Sequence, residues 1–224
     1  MERTRVYIDG FNFYYAVKAG DFPLGLAWCD FRKLAEQYMV APGEKLDAIK
    51  YFTAPVEHRY ANRAGEERRQ SRWLHAVATI RGLKVIHGFH QQHELKRREE
   101  KQTDINIAVE LLVDAMNGDC THAVLITGDI DQAPTVRAAR ERLPLARRVI
   151  VDVWIPPGVR SARWQSEARE RGFSCREITP EMLATSRLPD RITTASGAVI
   201  ESLAEWKMPT GDAGLPSPTA RPGK

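Results

Sequence analysis

One alternation constrains this chain more than any other feature. Short apolar runs that read as strands are separated by stretches with helical spacing. The strand candidates are Val6–Ile8, Leu46–Phe52, Leu83–Phe89, Ala123–Ile126, Arg148–Trp154 and Phe173–Ile178. Helices are expected over 31–38, behind an Asp30 cap, and over 60–81, 104–116, 133–142 and 161–171. Parallel strands need a crossover between them, and an intervening helix supplies it. The pattern therefore predicts an α/β fold with a central, mainly parallel sheet covered by helices on both faces.

Within the 104–116 stretch, Ile105, Ala108, Val109, Leu112 and Val113 recur at i, i+3, i+4, i+7 and i+8, which makes them its expected buried stripe. His90 to Gln102 is polar and is expected to be a loop. The pattern fades after Thr185. Met208–Lys224 is rich in Pro, Gly, Ser and Thr, the composition of a disordered tail. The expected organisation is one domain over 1–190 and an extension over 191–224, largely disordered after about 207.

At 224 residues and 43% hydrophobic, the chain can build one ordinary core and is too apolar for a disordered protein. Cys29, Cys120 and Cys175 are odd in number and far apart, so no disulfide framework or cysteine zinc site is expected. A reducing, cytoplasmic setting follows. No run approaches the ~18 apolar residues of a membrane helix, and no signal-peptide pattern opens the chain.

In open parallel sheets, chemistry gathers beyond the carboxyl ends of the strands, where strand order reverses. Four acids satisfy that rule. Asp9 follows the first strand, Asp129 and Asp131 follow Ala123–Ile126, and Asp104 heads a helix, with Asn12 and Thr127 nearby in sequence. Taken singly, each also reads as a turn residue or a helix cap. Together at one edge they would repel, which a bound cation would relieve. Hard oxygen donors suit Mg2+ or Mn2+ rather than Zn2+, and such ions serve phosphate chemistry.

Three motifs carry a family resemblance. Val6-Tyr-Ile-Asp-Gly-Phe-Asn-Phe-Tyr-Tyr15, Lys101-Gln-Thr-Asp-Ile-Asn-Ile-Ala-Val-Glu-Leu-Leu112 and Val124-Leu-Ile-Thr-Gly-Asp-Ile-Asp-Gln-Ala-Pro134 resemble, in order and spacing, those of NYN domains in the PIN-like nuclease superfamily. Leu188-Pro-Asp190 is similar to the bacterial branch. Thr127, Ile130 and Gln132 depart from the usual serine, serine and phenylalanine. The resemblance implies a PIN-like α/β/α sandwich and a Mg2+- or Mn2+-dependent endoribonuclease. Asp9, Asp104, Asp129 and Asp131 would be its metal acids, with Asn12 and Thr127 supporting them. It leaves open a homodimer, a catalytically silent RNA-binding module and a DNA-directed nuclease of flap-endonuclease type.

The formal charge is 33 − 29 = +4, too small to name a partner. Its distribution says more. Residues 57–103 carry 11 Lys and Arg against 6 acids, a local +5, and residues 136–176 carry 10 Arg against 4 acids, a local +6. Lys101, Arg68, Arg69, Arg72, Arg97 and Arg98 are the candidate RNA contacts. The alternative for each is a solvated surface charge. Phe11, Phe13, Tyr14 and Tyr15 are expected mainly in the core, with base stacking as the alternative.

Overall fold

The computed structural model describes residues 2–20, 22–54, 65–92, 98–101 and 103–208, with backbone alone for 89–92 and 98–101. The expected tail over 208–224 lies outside the described residues from 209 onward. Strand β1 (Arg3–Asp9) leads into helix α1 (Gly10–Ala19). Helix α2 (Phe31–Tyr38), strand β2 (Lys45–Thr53), helix α3 (Glu66–Val77) and strand β3 (Leu83–His87) follow. Asp30 caps α2 as its sequence suggests, accepting from the backbone N–H of Arg32 and Lys33.

The stretch expected to be a loop is instead a hairpin of β4 (Phe89–Gln92) and β5 (Arg98–Lys101), paired antiparallel. The hairpin stands apart from the main sheet. Its sequence is polar, without the apolar alternation that burial on a core would impose. Helix α4 (Thr103–Asn117) then leads to β6 (His122–Ile126). Helix α5 (Ala133–Arg137) continues as a π-helical turn over Ala138–Arg142. Strand β7 (Ile150–Ile155), helix α6 (Ala162–Arg171), strand β8 (Ser174–Glu177) and helix α7 (Pro180–Thr185) complete the alternation. A small hairpin of β9 (Arg191–Thr193) and β10 (Val199–Glu201) follows.

The main sheet has six strands in the order β3-β2-β1-β6-β7-β8, all parallel. The chain builds outward from β1 to β3, then returns to the other side of β1 and builds outward to β8. Strand order reverses between β1 and β6, the kind of switch point beyond which ligands bind in open parallel sheets. One apolar cluster covers one side of the sheet, around Phe13, Trp28, Phe31, Trp73 and Trp206. The other contains Tyr7, Ile107, Leu111, Val136 and Trp164.

Helix α4 faces the sheet differently from its apolar spacing. Ile107, Leu111, Asp114 and Ala115 are buried, while Ile105, Val109, Val113 and Met116 are exposed. The helix is apolar on two sides, and a buried acid sits in the inward stripe. That acid, Asp114, accepts from Tyr7 OH at 2.7 Å and from Lys50 Nζ at 2.6 Å, and pairs with Arg5 at 2.8 Å. Burial opposes its ionisation, but the bonds from Lys50, Tyr7 and Arg5 outweigh burial and hold the carboxyl below its ordinary value.

At the amino end of the sheet, His122 stands 2.8 Å from Glu44 through Nδ1 and 3.4 Å from Asp152 through Nε2. Burial alone would depress this imidazole. The contacts to Asp152 and Glu44 outweigh it and raise the group above its ordinary value of 6.5.

Two predictions follow from these contacts. Leu111, fully buried, costs about 2–5 kcal/mol when cut to Ala, whereas Val109→Ala, at a site 52% exposed, stays within about 0.5 kcal/mol. Urea denaturation at pH 7 compares them, and equal costs would contradict this facing of α4. For His122, the folded value lies above the unfolded one. Its stabilisation is therefore complete below pH 6.5 and is lost as pH rises through the raised folded value. The stability difference between the parent and His122→Gln should shrink over that range. A difference that is flat from pH 5 to 9 would contradict the contacts.

Candidate active site

Asp9 is the last residue of β1 and the N-cap of α1. Its Oδ1 accepts from the backbone N–H of Asn12 at 3.0 Å, as a cap does. The turn after it passes close over β2. A Cβ on Gly10 would lie 2.4 Å from the Tyr51 ring and 2.7 Å from the Phe52 carbonyl oxygen, so glycine is required there.

Strand β6 ends beside β1 and hands Thr127 to the same place. Thr127 is fully buried. Its hydroxyl donates to Asp9 Oδ2 and accepts from the backbone N–H of Asp129, both at 3.1 Å. Asn12 reaches across from α1, its Oδ1 accepting from the Gly128 N–H at 2.6 Å. Asp129 caps the 3-10 turn Ile130–Gln132 and accepts from the backbone N–H of Asp131 at 2.9 Å.

Asp104 arrives from a third element, the first turn of α4. Gln132 holds it there. The Gln132 Nε2 donates to the Asp104 carbonyl and to its Oδ1, each at 3.2 Å, while Thr135 Oγ1 donates to Gln132 Oε1 at 3.1 Å. In the sequence Gln132 stands out only as a departure from a family motif; its role as a clamp on Asp104 needs the folded chain.

The electrostatics show that the acids share a field. Asp9 is 5% exposed, and its carboxyl is pushed up to about 6. Burial is the main cause, and the charges of Asp104 and Asp129 add to it. The bonds from Asn12 and Thr127 work the other way. Asp104 is also raised, first by its partial desolvation and then by Asp129 and Asp131, against the bond from Gln132. Thus three of the four acids are coupled around Asp9 and Asp104, and Asp131 enters through Asp104.

The donors here are hard carboxylate oxygens, which suit Mg2+ or Mn2+. No group of three or more His, Cys, Asp and Glu side chains among the described residues is drawn together closely enough to hold an ion. Magnesium commonly takes only one or two carboxylates, with water and substrate phosphate completing its shell, so an open edge of this kind fits its chemistry.

The expected RNA contacts divide. Arg68 is exposed on α3. Arg69 pairs with Glu205 at 3.5 Å, and Arg72 donates to the Glu201 carbonyl at 3.1 Å, so both are engaged with the C-terminal segment. Arg97 lies outside the described residues, and for Lys101 and Arg98 only the backbone is described. Phe13 is buried in the core as expected, but Phe11 and Tyr14 are only half-buried and Tyr15 is exposed. No helix among the described residues is long and apolar enough to cross a membrane.

A family model described as NYN domain matches residues 3–153. The chain is 27% identical over 187 residues to the 6-hydroxy-3-succinoylpyridine 3-monooxygenase HspA of Pseudomonas putida, covering 66% of this chain and 59% of that protein. It therefore spans less than two thirds of that relative's length. Among solved structures it is similar to a Vibrio parahaemolyticus protein of unknown function, at 18% identity and a TM-score of 0.51, with 80% of this chain and 93% of that chain covered. At that identity the likeness bears on the fold alone.

The Thr127 hydroxyl favours the ionised form of Asp9. Thr127→Val should therefore raise the Asp9 carboxyl further above 6. Carboxyl-carbon NMR titration of labelled protein measures it, and an unchanged or lower value would show that the bond does not act on Asp9.

Proposed function

The chain belongs to the NYN domain family, and from that premise we propose that it is a Mg2+- or Mn2+-dependent endoribonuclease. NYN domains are nucleases, hydrolases that act on nucleic acids. The observation that carries the finer reading is the buried Asp9, raised to about 6 while Asp104 and Asp129 act on it across the switch point. Three separate elements deliver those acids to one edge. A plain cap or turn needs only one acid, and gains nothing from a neighbour that repels it.

One or two of Asp9, Asp104, Asp129 and Asp131 would hold the cation directly, and the others through water. When bound, it would offset their repulsion and supply Lewis-acid polarisation of a phosphoryl oxygen. The remaining work falls to the chain itself. Thr127 fixes Asp9 Oδ2 and the Asp129 backbone at the same time, so the two acids keep their spacing. Asn12 ties the start of α1 to the loop after β6, and Gln132 fixes Asp104 against that loop. Preorganised acids spend little on reorganisation when charge develops. Cations along α3 and on the arginine-rich 136–176 segment would attract the RNA backbone from outside this edge.

Purified chain incubated with RNA and with DNA, in Mn2+ or in EDTA, tests the proposal. RNA cleavage that requires the metal is expected, and Asp129→Asn should reduce it by at least a hundredfold while circular dichroism is unchanged. Cleavage of DNA alone would assign a DNA-directed nuclease. Binding of RNA with neither polymer cut would assign a silent RNA-binding module. Full activity of Asp129→Asn would remove the acids from the mechanism.

A further inference from the structure

Beside the acids, on the β2 side of β1, lies a cleft that the proposed hydrolysis does not use. Its volume is about 90 Å3, room for one flat ring rather than a drug-sized ligand. Its walls are aromatic: Phe11, Tyr14 and Tyr15 of α1, Tyr51 of β2, Trp73 of α3, and Trp206. Gly10 and Thr53 are also in its lining, and Gly10 directly follows Asp9. One lining residue thus adjoins the acidic edge.

Its composition is unusual for a surface. Helix α1 places one aromatic, Phe13, in the core and leaves three on this cleft, with Tyr15 54% exposed. Phe11 and Tyr15 already lie near-parallel, with ring centroids 6.0 Å apart and planes 25° apart. Lys18 Nζ stands 6.0 Å from both the Tyr14 and Tyr15 rings. Arg69 supplies a second cation at the rim, beside Glu66 and Gln70.

Trp206 joins the cleft from the C-terminal segment. It is 3% exposed and stacks on Trp28, with ring centroids 5.2 Å apart. Trp206 also lies beyond residues 3–153, so the family segment alone does not complete this cleft.

We propose that the cleft is a nucleobase subsite, which takes one base of the polymer and sets the neighbouring phosphate toward the acids. Flat rings stack on tyrosine whatever the base. Lys18 would meet the nucleotide's own phosphate, and Glu66 would accept from an exocyclic amine, which favours cytosine, adenine or guanine over uracil. The inference rests on the chain acting on RNA, and it adds where a base is held.

Titration of the full chain with CMP, UMP, AMP and GMP, followed by tryptophan fluorescence and calorimetry, tests it without requiring cleavage. A one-to-one complex is expected, with Tyr15→Ala and Lys18→Ala each weakening it about tenfold. Both exposed substitutions spare the core, and circular dichroism checks this. Two controls lack one half of the ligand: ribose 5-phosphate has no base, and nicotinate is an aromatic carboxylate with no ribose or phosphate. If either binds as tightly as CMP, or if Tyr15→Ala changes nothing, the nucleobase assignment falls. Nucleotide binding without RNA cleavage would overturn the nuclease reading and leave the cleft. Cleavage without nucleotide binding would do the reverse.

Discussion

The placement of Asp104 relative to Asp9 depends on one buried carboxylate outside the acidic edge. Asp114 sits about 15 Å along α4 from Asp104, at 1.5 Å per residue. It is gripped by Tyr7 and Arg5 of β1 and by Lys50 of β2. Strand β1 also carries Asp9, two residues beyond Tyr7. One strand therefore fixes both the height of α4 and the position of Asp9. Were α4 held only by Ile107, Leu111 and Ala115, sliding by a turn would cost little specificity, because its other face is apolar too. The charged contact admits one register. Such networks are costly to break from one side, since removing a partner strands a buried charge.

That same carboxylate explains where the sequence was legible and where it was not. The strand–helix alternation located the elements of the sheet, because buried parallel strands and their crossovers leave plain apolar runs. The switch-point rule then picked out Asp9, Asp104, Asp129 and Asp131 without any knowledge of strand order. Periodicity failed on α4. It weighs apolar residues only, so of the stripe Ile105, Ala108, Val109, Leu112 and Val113 it placed three exposed residues inward, was right about Leu112, and passed over an inward face interrupted by an acid. Asp114 reads as a surface residue until Arg5, Tyr7 and Lys50 are placed around it, and those partners are 64 to 109 positions away in sequence. The hairpin of β4 and β5 escaped for the opposite reason: its polar sequence carries no apolar alternation, and it pairs outside the main sheet.

Asp9 serves two ends at once. As a cap it stabilises the start of α1, which favours its charged form; as a buried neighbour of Asp104 and Asp129 it is pressed toward neutrality. The conflict is held in place by Thr127, whose single hydroxyl bonds both Asp9 and the Asp129 backbone. A serine would offer the same two bonds. The threonine methyl adds rotamer stiffness at a fully buried site, which suits a residue that measures the gap between two strands.

The C-terminal segment has a consequence of another kind. Arg72 reaches the Glu201 carbonyl, Arg187 reaches the Trp206 carbonyl, and Trp206 lies on Trp28. The stretch up to residue 208 is thereby sewn onto the first third of the chain, apart from Asp9, Asp104, Asp129 and Asp131. Two parts of the molecule therefore rest on separate supports: a change at Arg187 or Trp206 would reshape the aromatic cleft while the hydrogen bonds of Thr127, Asn12 and Gln132 kept the four acids where they are.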